Sequence, residues 1–147
     1  MATSGSSTSF PGGEIGTINP HTSHITVFPP LTTGFQPTNI TRGPQGDQNL
    51  WFTEQSGQIG KMDSRTGHVT YFSVPSLPED ITTSQGFLWF TDATANAIDR
   101  MSLTGAVTEF TLPGKTNVGL QGITVGLQNK IWFTEAGASK IGNVTTA

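Results

Sequence analysis

Cysteine is absent from the 147-residue chain, which excludes disulfides and thiolate metal sites and leaves the redox compartment open. Charge is scarce too. Asp, Glu, Lys and Arg make up 12% of residues and the net charge is −3, so the clustered Lys and Arg of a nucleic-acid surface are missing. No apolar run approaches the roughly 18 residues that a membrane span needs, so neither nucleic acid nor membrane is expected as a partner. Residues Met1 to Gly13 lack the charged start and apolar stretch of a secretory signal. A soluble protein is expected, with cytoplasmic and secreted locations both open. Polarity comes instead from Thr, Ser, Asn and Gln.

What is present is a repeat. Leu50-Trp51-Phe52-Thr53-Glu54 returns as Leu88-Trp89-Phe90-Thr91-Asp92 and again as Ile131-Trp132-Phe133-Thr134-Glu135, with the tryptophans 38 and 43 residues apart. A unit of roughly 40 residues, each copy carrying Trp among β-formers, is the signature of a propeller blade. The rest of each unit repeats as well. Ile-Thr precedes each Trp at Ile40-Thr41, Ile81-Thr82 and Ile123-Thr124. Gln58-Ile59-Gly60-Lys61-Met62 and Ala97-Ile98-Asp99-Arg100-Met101 follow the first two, each leading through a Thr-Gly turn to Val69-Thr70-Tyr71-Phe72 or Val107-Thr108-Glu109-Phe110.

These pieces predict an all-β chain of four-stranded units with strands a, b, c and d. Short strands at spacings of about 8 to 12 residues, punctuated by Gly and Pro, are the all-β pattern. Residues 1–13 read as a flexible Ser/Thr/Gly-rich lead-in. Residues 14–30 supply strands c and d, 36–75 and 77–113 supply complete blades, and 118–147 supplies a, b and c. The sum is about three and a half blades, whereas propellers close with roughly four to eight. A partial propeller is therefore expected, either half of an oligomeric ring or a piece of a longer parent. Alternation within strand b, with Trp and Thr on one face and Phe on the other, suits a sheet packed between two neighbours.

The candidate chemistry is the acid closing each Trp-Phe-Thr copy: Glu54, Asp92 and Glu135. Loops joining b to c and d to a open on one face of a propeller, which adds Glu79 and Asp80. Such a rim of carboxylates suits a hard cation such as Mg²⁺ or Ca²⁺. The plainer alternative is that each acid caps turn amides of its own blade. His21 and His24 have metal-pair spacing but fall in a polar turn, as does His68, so they read as solvated. The tryptophans offer ring faces for stacking, although one per blade at a fixed place reads as packing between blades. Asn39-Ile40-Thr41 and Asn143-Val144-Thr145 fit the glycosylation sequon of secreted eukaryotic proteins.

Taken together, Pro-x-x-Ile-Thr, Leu-Trp-Phe-Thr-Glu, Ile-Gly and Val-Thr-Glu-Phe-x-Leu-Pro resemble the virginiamycin B lyase (streptogramin lyase) family from Glu14 onward. The clearest copies are Asn49 to Lys61, Phe87 to Pro113 and Lys130 to Gly142. The resemblance implies a seven-bladed propeller that linearises a cyclic depsipeptide antibiotic by Mg²⁺-assisted C–O elimination. It also implies a His base in the loop leading to strand a. The matching positions here are Thr38, Glu79 and Gln121, so no catalytic residue carries over. The chain is expected to act as a binding or interaction scaffold for a small-molecule or peptide ligand, able to self-associate to complete its ring. The alternative is a part of a lyase whose catalytic blades lie outside these residues.

Overall fold

The computed structural model describes residues 13–29, 31, 36–114 and 118–145. Of the expected lead-in, only Gly13 is among them. Among the described residues the chain forms thirteen strands in four antiparallel sheets. Strands β1 (Gly16–Ile18) and β2 (Ile25–Val27) pair as a hairpin. The first complete blade follows as β3 (Pro37–Arg42), β4 (Asn49–Glu54), β5 (Gln58–Asp63) and β6 (Val69–Ser73). The second is β7 (Pro78–Ser84), β8 (Phe87–Asp92), β9 (Ala97–Met101) and β10 (Val107–Thr111). The third sheet has three strands, β11 (Leu120–Val125), β12 (Ile131–Glu135) and β13 (Lys140–Val144). Each sheet is a meander of neighbours in sequence order, the form of a propeller blade. The protein is a partial β-propeller.

The core lies between the sheets, as the alternation of strand b requires. Trp51, Ile59 and Phe72 of the first blade pack against Ile81, Leu88, Phe90 and Met101 of the second. Trp89 and Ile98 on the far face of the second blade meet Leu120, Ile123, Ile131 and Phe133 of the third. On the near face of the first blade, Phe52 and Met62 pack beneath Ile15, Phe28 and Leu31 beside the hairpin. Trp51 and Trp89 are 0% and 2% exposed, but Trp132 is 38% exposed because no further described sheet covers it.

Two glycine positions explain why the repeat is written as it is. A Cβ on Gly60 would lie 2.1 Å from the Phe52 ring, and one on Gly142 would lie 2.4 Å from the Phe133 ring. Glycine in strand c is thus the seat of the strand b phenylalanine. In the c-to-d turns, Gly67 (φ 76) and Gly105 (φ 94) adopt the left-handed region. The preceding blade's Phe28 and Phe72 rings lie 2.7 Å from where their Cβ atoms would be. One residue therefore turns the chain and admits the neighbouring blade.

Candidate functional site

Strand a carries a register shift in all three units, between Pro37 and Ile40, Pro78 and Ile81, and Leu120 and Ile123. Bulges of this kind bend a strand and re-aim its side chains, often beside a binding site. The residues they turn outward are Thr38, Glu79 and Gln121, all exposed. Strands β3, β7 and β11 lie side by side, so these three residues form one polar row across three blades.

A bulge leaves an amide outside the sheet ladder, and the Thr of Trp-Phe-Thr receives it. Asn39 N donates to Thr53 Oγ1 at 3.1 Å, Asp80 N to Thr91 Oγ1 at 3.1 Å, and Gly122 N to Thr134 Oγ1 at 2.9 Å. The same hydroxyl then reaches the next blade. Thr53 Oγ1 donates to Glu79 O at 3.0 Å, and Thr91 Oγ1 donates to Gln121 O at 2.7 Å. Further ties reinforce the row: Asn39 Nδ2 donates to Glu79 O at 2.8 Å, and Ile123 N donates to Asp80 Oδ2 at 2.8 Å. The row is held by directional bonds that cross blade boundaries.

The structure separates the five acids expected on one rim. Glu79 is exposed on the polar row, and Asp80 is half-buried with both oxygens taken by the amides of Ile81 and Ile123. Glu54, Asp92 and Glu135 are buried at the ends of their b strands, one per blade. Asp92 caps its own turn, accepting from Thr94 N at 2.7 Å and Ala95 N at 3.0 Å. Neither oxygen of Glu54 has a hydrogen-bond partner, nor has Oε1 of Gln58 directly opposite it in the ladder. Burial pushes the Glu54 carboxyl above its usual range, with the backbone amide of Gln36 offsetting it in part. His21, His24 and His68 are exposed.

Among the described residues no three His, Cys, Asp or Glu side chains come together to hold a metal ion. Glu54, Asp92 and Glu135 stand one to a blade, and Asp80 and Asp92 already accept from backbone amides. They do not fit a Mg²⁺ cage, which needs several oxygen ligands converging at about 2.1 Å.

Asp99 is an acid that the sequence reading passed over. It occupies the strand c position held by Gly60 and Gly142 in the neighbouring blades. It is fully buried on β9, directly opposite Phe90, with Oδ2 3.2 Å from Ser76 Oγ across the blade boundary and Oδ1 unpaired. Burial raises its pKa to about 7, the charge of Asp92 adds to this, Ser76 opposes it, and Glu109 adds a little more. The available signal was the break in the Ile-Gly repeat at Ile98-Asp99.

The chain can now be set beside known proteins. The profile of the virginiamycin B lyase family matches residues 7–147. Among solved structures, virginiamycin B lyase from Staphylococcus aureus is 35% identical, with a TM-score of 0.80 over 92% of this chain and 46% of that one. A catalytically inactive histidine-to-alanine variant of the Staphylococcus aureus enzyme, solved with quinupristin, matches with the same identity, coverage and TM-score. A streptogramin B lyase structure is 33% identical, with a TM-score of 0.80 over 92% of this chain and 45% of that one. A nidogen/laminin complex shares the fold alone, at 17% identity and a TM-score of 0.67 over 83% of this chain and 49% of that one. No curated protein matches. The chain spans about half the length of the solved lyases it matches. With the profile covering nearly the whole sequence and the blade repeat accounting for its fold, the chain belongs to the virginiamycin B lyase family.

Proposed function

We propose that the chain is a ligand-binding scaffold of the virginiamycin B lyase type, which presents the polar row Thr38, Glu79 and Gln121 to a small cyclic peptide without itself supplying the base for opening it. The observation that carries this reading is the side chain at each bulge. The family places a His base in the loop leading to strand a, and the matching residues here are Thr, Glu and Gln. They offer hydrogen-bond donors and acceptors, but none is a neutral-pH general base of the imidazole kind. The quinupristin complex of the Staphylococcus aureus variant supports a cyclic peptide as the ligand class.

Calorimetry with quinupristin tests this directly. Saturable binding that weakens in Glu79→Ala and Gln121→Ala, with the antibiotic recovered intact by mass spectrometry, is the expected result. Absence of binding refutes the scaffold reading. Linearisation above a buffer control favours the rival, that these residues form a working portion of a lyase. That rival draws support from the family match across residues 7–147.

A further inference from the structure

We infer that the crossover joining the first two blades, Val74 to Leu77, is a pH-operated latch on the ligand face: protonated Asp99 holds it down and ionised Asp99 releases it. As control over a ligand, this rests on the scaffold reading above. The crossover runs from the end of β6 to the start of β7, between two complete blades. It is lightly fastened. Val74 N donates to Gly57 O at 3.1 Å, and Ser76 Oγ donates to Asp99 Oδ2 at 3.2 Å. Pro75 and Pro78 have no amide proton to add. The Ser76 carbonyl rests on the b-to-c turn of the first blade, 3.1 Å from where a Cβ on Gly57 would be. Leu77 stands 50% exposed, one residue from the buried Ser76.

The next crossover, from the second blade to the third, is anchored differently. There Val118 N donates to Asn96 Oδ1 at 3.1 Å, Ala136 N to Gly119 O at 2.9 Å and Gly137 N to Val118 O at 2.9 Å. Its side-chain anchor is a neutral amide, which bonds alike at every pH. The first crossover is anchored instead on a carboxyl group, fully buried opposite Phe90 with Oδ1 unpaired. A neutral carboxyl is tolerated there, whereas a carboxylate is a buried charge without a counter-ion. Asp92 on β8 and Glu109 on β10 carry its own sign and disfavour its ionisation. On β7, Glu79 is a further acid, and Asp80 is engaged with the amides of Ile81 and Ile123. Lys61 shares the Trp51 side of the first blade and lies over the Trp51 ring, 5.3 Å from its centre. Among the described residues no cation acts on Asp99, so its charge is relieved by water admitted beside Ser76.

Burial holds the Asp99 pKa at about 7, above the ordinary 3.8. Release therefore grows as pH rises from 3.8 and levels off above 7. Opening reaches the ligand face because the same short segment leads from Ser76 into Glu79. The Glu79 carbonyl accepts from Thr53 Oγ1 and Asn39 Nδ2 across the boundary that Asp99 occupies. Lifting the crossover pulls on those ties and displaces the middle member of the polar row. Affinity for the ligand then falls with the fraction of chains that remain latched.

Hydrogen exchange on the full chain without ligand reads the latch directly. Corrected for intrinsic rates, exchange at Val74, Ser76 and Leu77 should speed up by at least about tenfold between pH 5 and pH 7, and little more by about pH 8. In Asp99→Asn it should stay level. Ser76→Ala removes the tie but keeps the acid, so it should exchange faster than the parent at pH 5 and still respond to pH. Exchange that ignores pH in the parent, or that varies equally in Asp99→Asn, overturns the latch. Calorimetry with quinupristin at pH 5 and pH 7 tests the control of binding. The parent should bind at least about threefold more weakly at pH 7 relative to Asp99→Asn, a comparison that cancels any ionisation of the antibiotic. Affinity that follows one pH course in both proteins overturns that control. Absence of binding at either pH, with the exchange difference intact, refutes the scaffold reading and upholds the latch.

Discussion

Replacing Asp99 with Asn should stabilise the chain, and by an amount that grows as pH rises. Asp99 is buried between the first two blades with one oxygen unpaired, and its only hydrogen-bond partner is the Ser76 hydroxyl. The ionisable side chains acting on it, Asp92 and Glu109, carry its own sign. Its folded pKa of about 7 stands above the ordinary 3.8, so the folded chain keeps a proton that the unfolded chain releases. The stability that this proton confers is fully present below pH 3.8 and is lost as pH rises towards 7. At ~1.4 kcal/mol per pH unit the whole separation is worth ~4 kcal/mol, and the part between pH 5 and pH 8 is about 2 to 3 kcal/mol. Asn keeps the shape and a partner for Ser76 but cannot ionise. Urea titrations of both proteins at pH 5, 6, 7 and 8 isolate the effect, since the two chains differ only at residue 99. The gap between wild type and Asp99→Asn should be small at pH 5 and widen through pH 7. Parallel stability curves would show that Asp99 is not desolvated as its burial implies.

Trp89→Ala should cost about 3 to 5 kcal/mol of stability, whereas Trp132→Ala in the monomeric chain should cost about 1 or less, and equal shifts in urea midpoint would refute the distinction between closed and open faces. Thr91→Val removes the acceptor for the Asp80 amide and the donor to Gln121, so it should cost more than Thr134→Val, about 1 to 3 kcal/mol against about 1. Glu54→Gln should raise the melting temperature at pH 7, because burial raises the Glu54 pKa and its charged form is unpaired. That gain should fade as pH falls towards the ordinary carboxyl value. A loss at neutral pH would mean that the carboxylate has a partner in solution.

The blade architecture was legible in the sequence because its determinants are periodic. Alternation of Trp-Phe-Thr fixes which side chains face each neighbour, and both Thr-Gly turns and the Gly60 and Gly142 seats are set by direct steric contact. The site was less legible for two physical reasons. A bulge changes register without changing composition, so nothing in Pro-Thr-Asn-Ile or Pro-Glu-Asp-Ile announces that Asn39 and Asp80 would need a threonine hydroxyl. The acids after Trp-Phe-Thr were expected on an open rim because they occupy turns, yet the flanking blades bury all three.

The role of the repeated Thr connects these observations. Its hydroxyl has one proton and two lone pairs, so it can accept the bulge amide and still donate to the next blade. Valine would have the same shape and β-propensity but neither function, and Ser would lack the methyl that stiffens the strand. This division of labour explains why side chains at the bulge are free to differ, as Thr38, Glu79 and Gln121 do, while the residue holding the bulge is Thr in every blade. The tie that holds each bulge and the exposed side chain at its tip are therefore specified by different strands. Strand b fixes the bulge geometry, and strand a sets what each blade presents. On this logic Gln121→His changes the surface without disturbing the tie, because Thr91 Oγ1 bonds the backbone carbonyl of residue 121 and not its side chain. The variant should melt within about 0.5 kcal/mol of the parent. A larger loss in urea titration would mean that the side chain at position 121 itself helps hold the blades together.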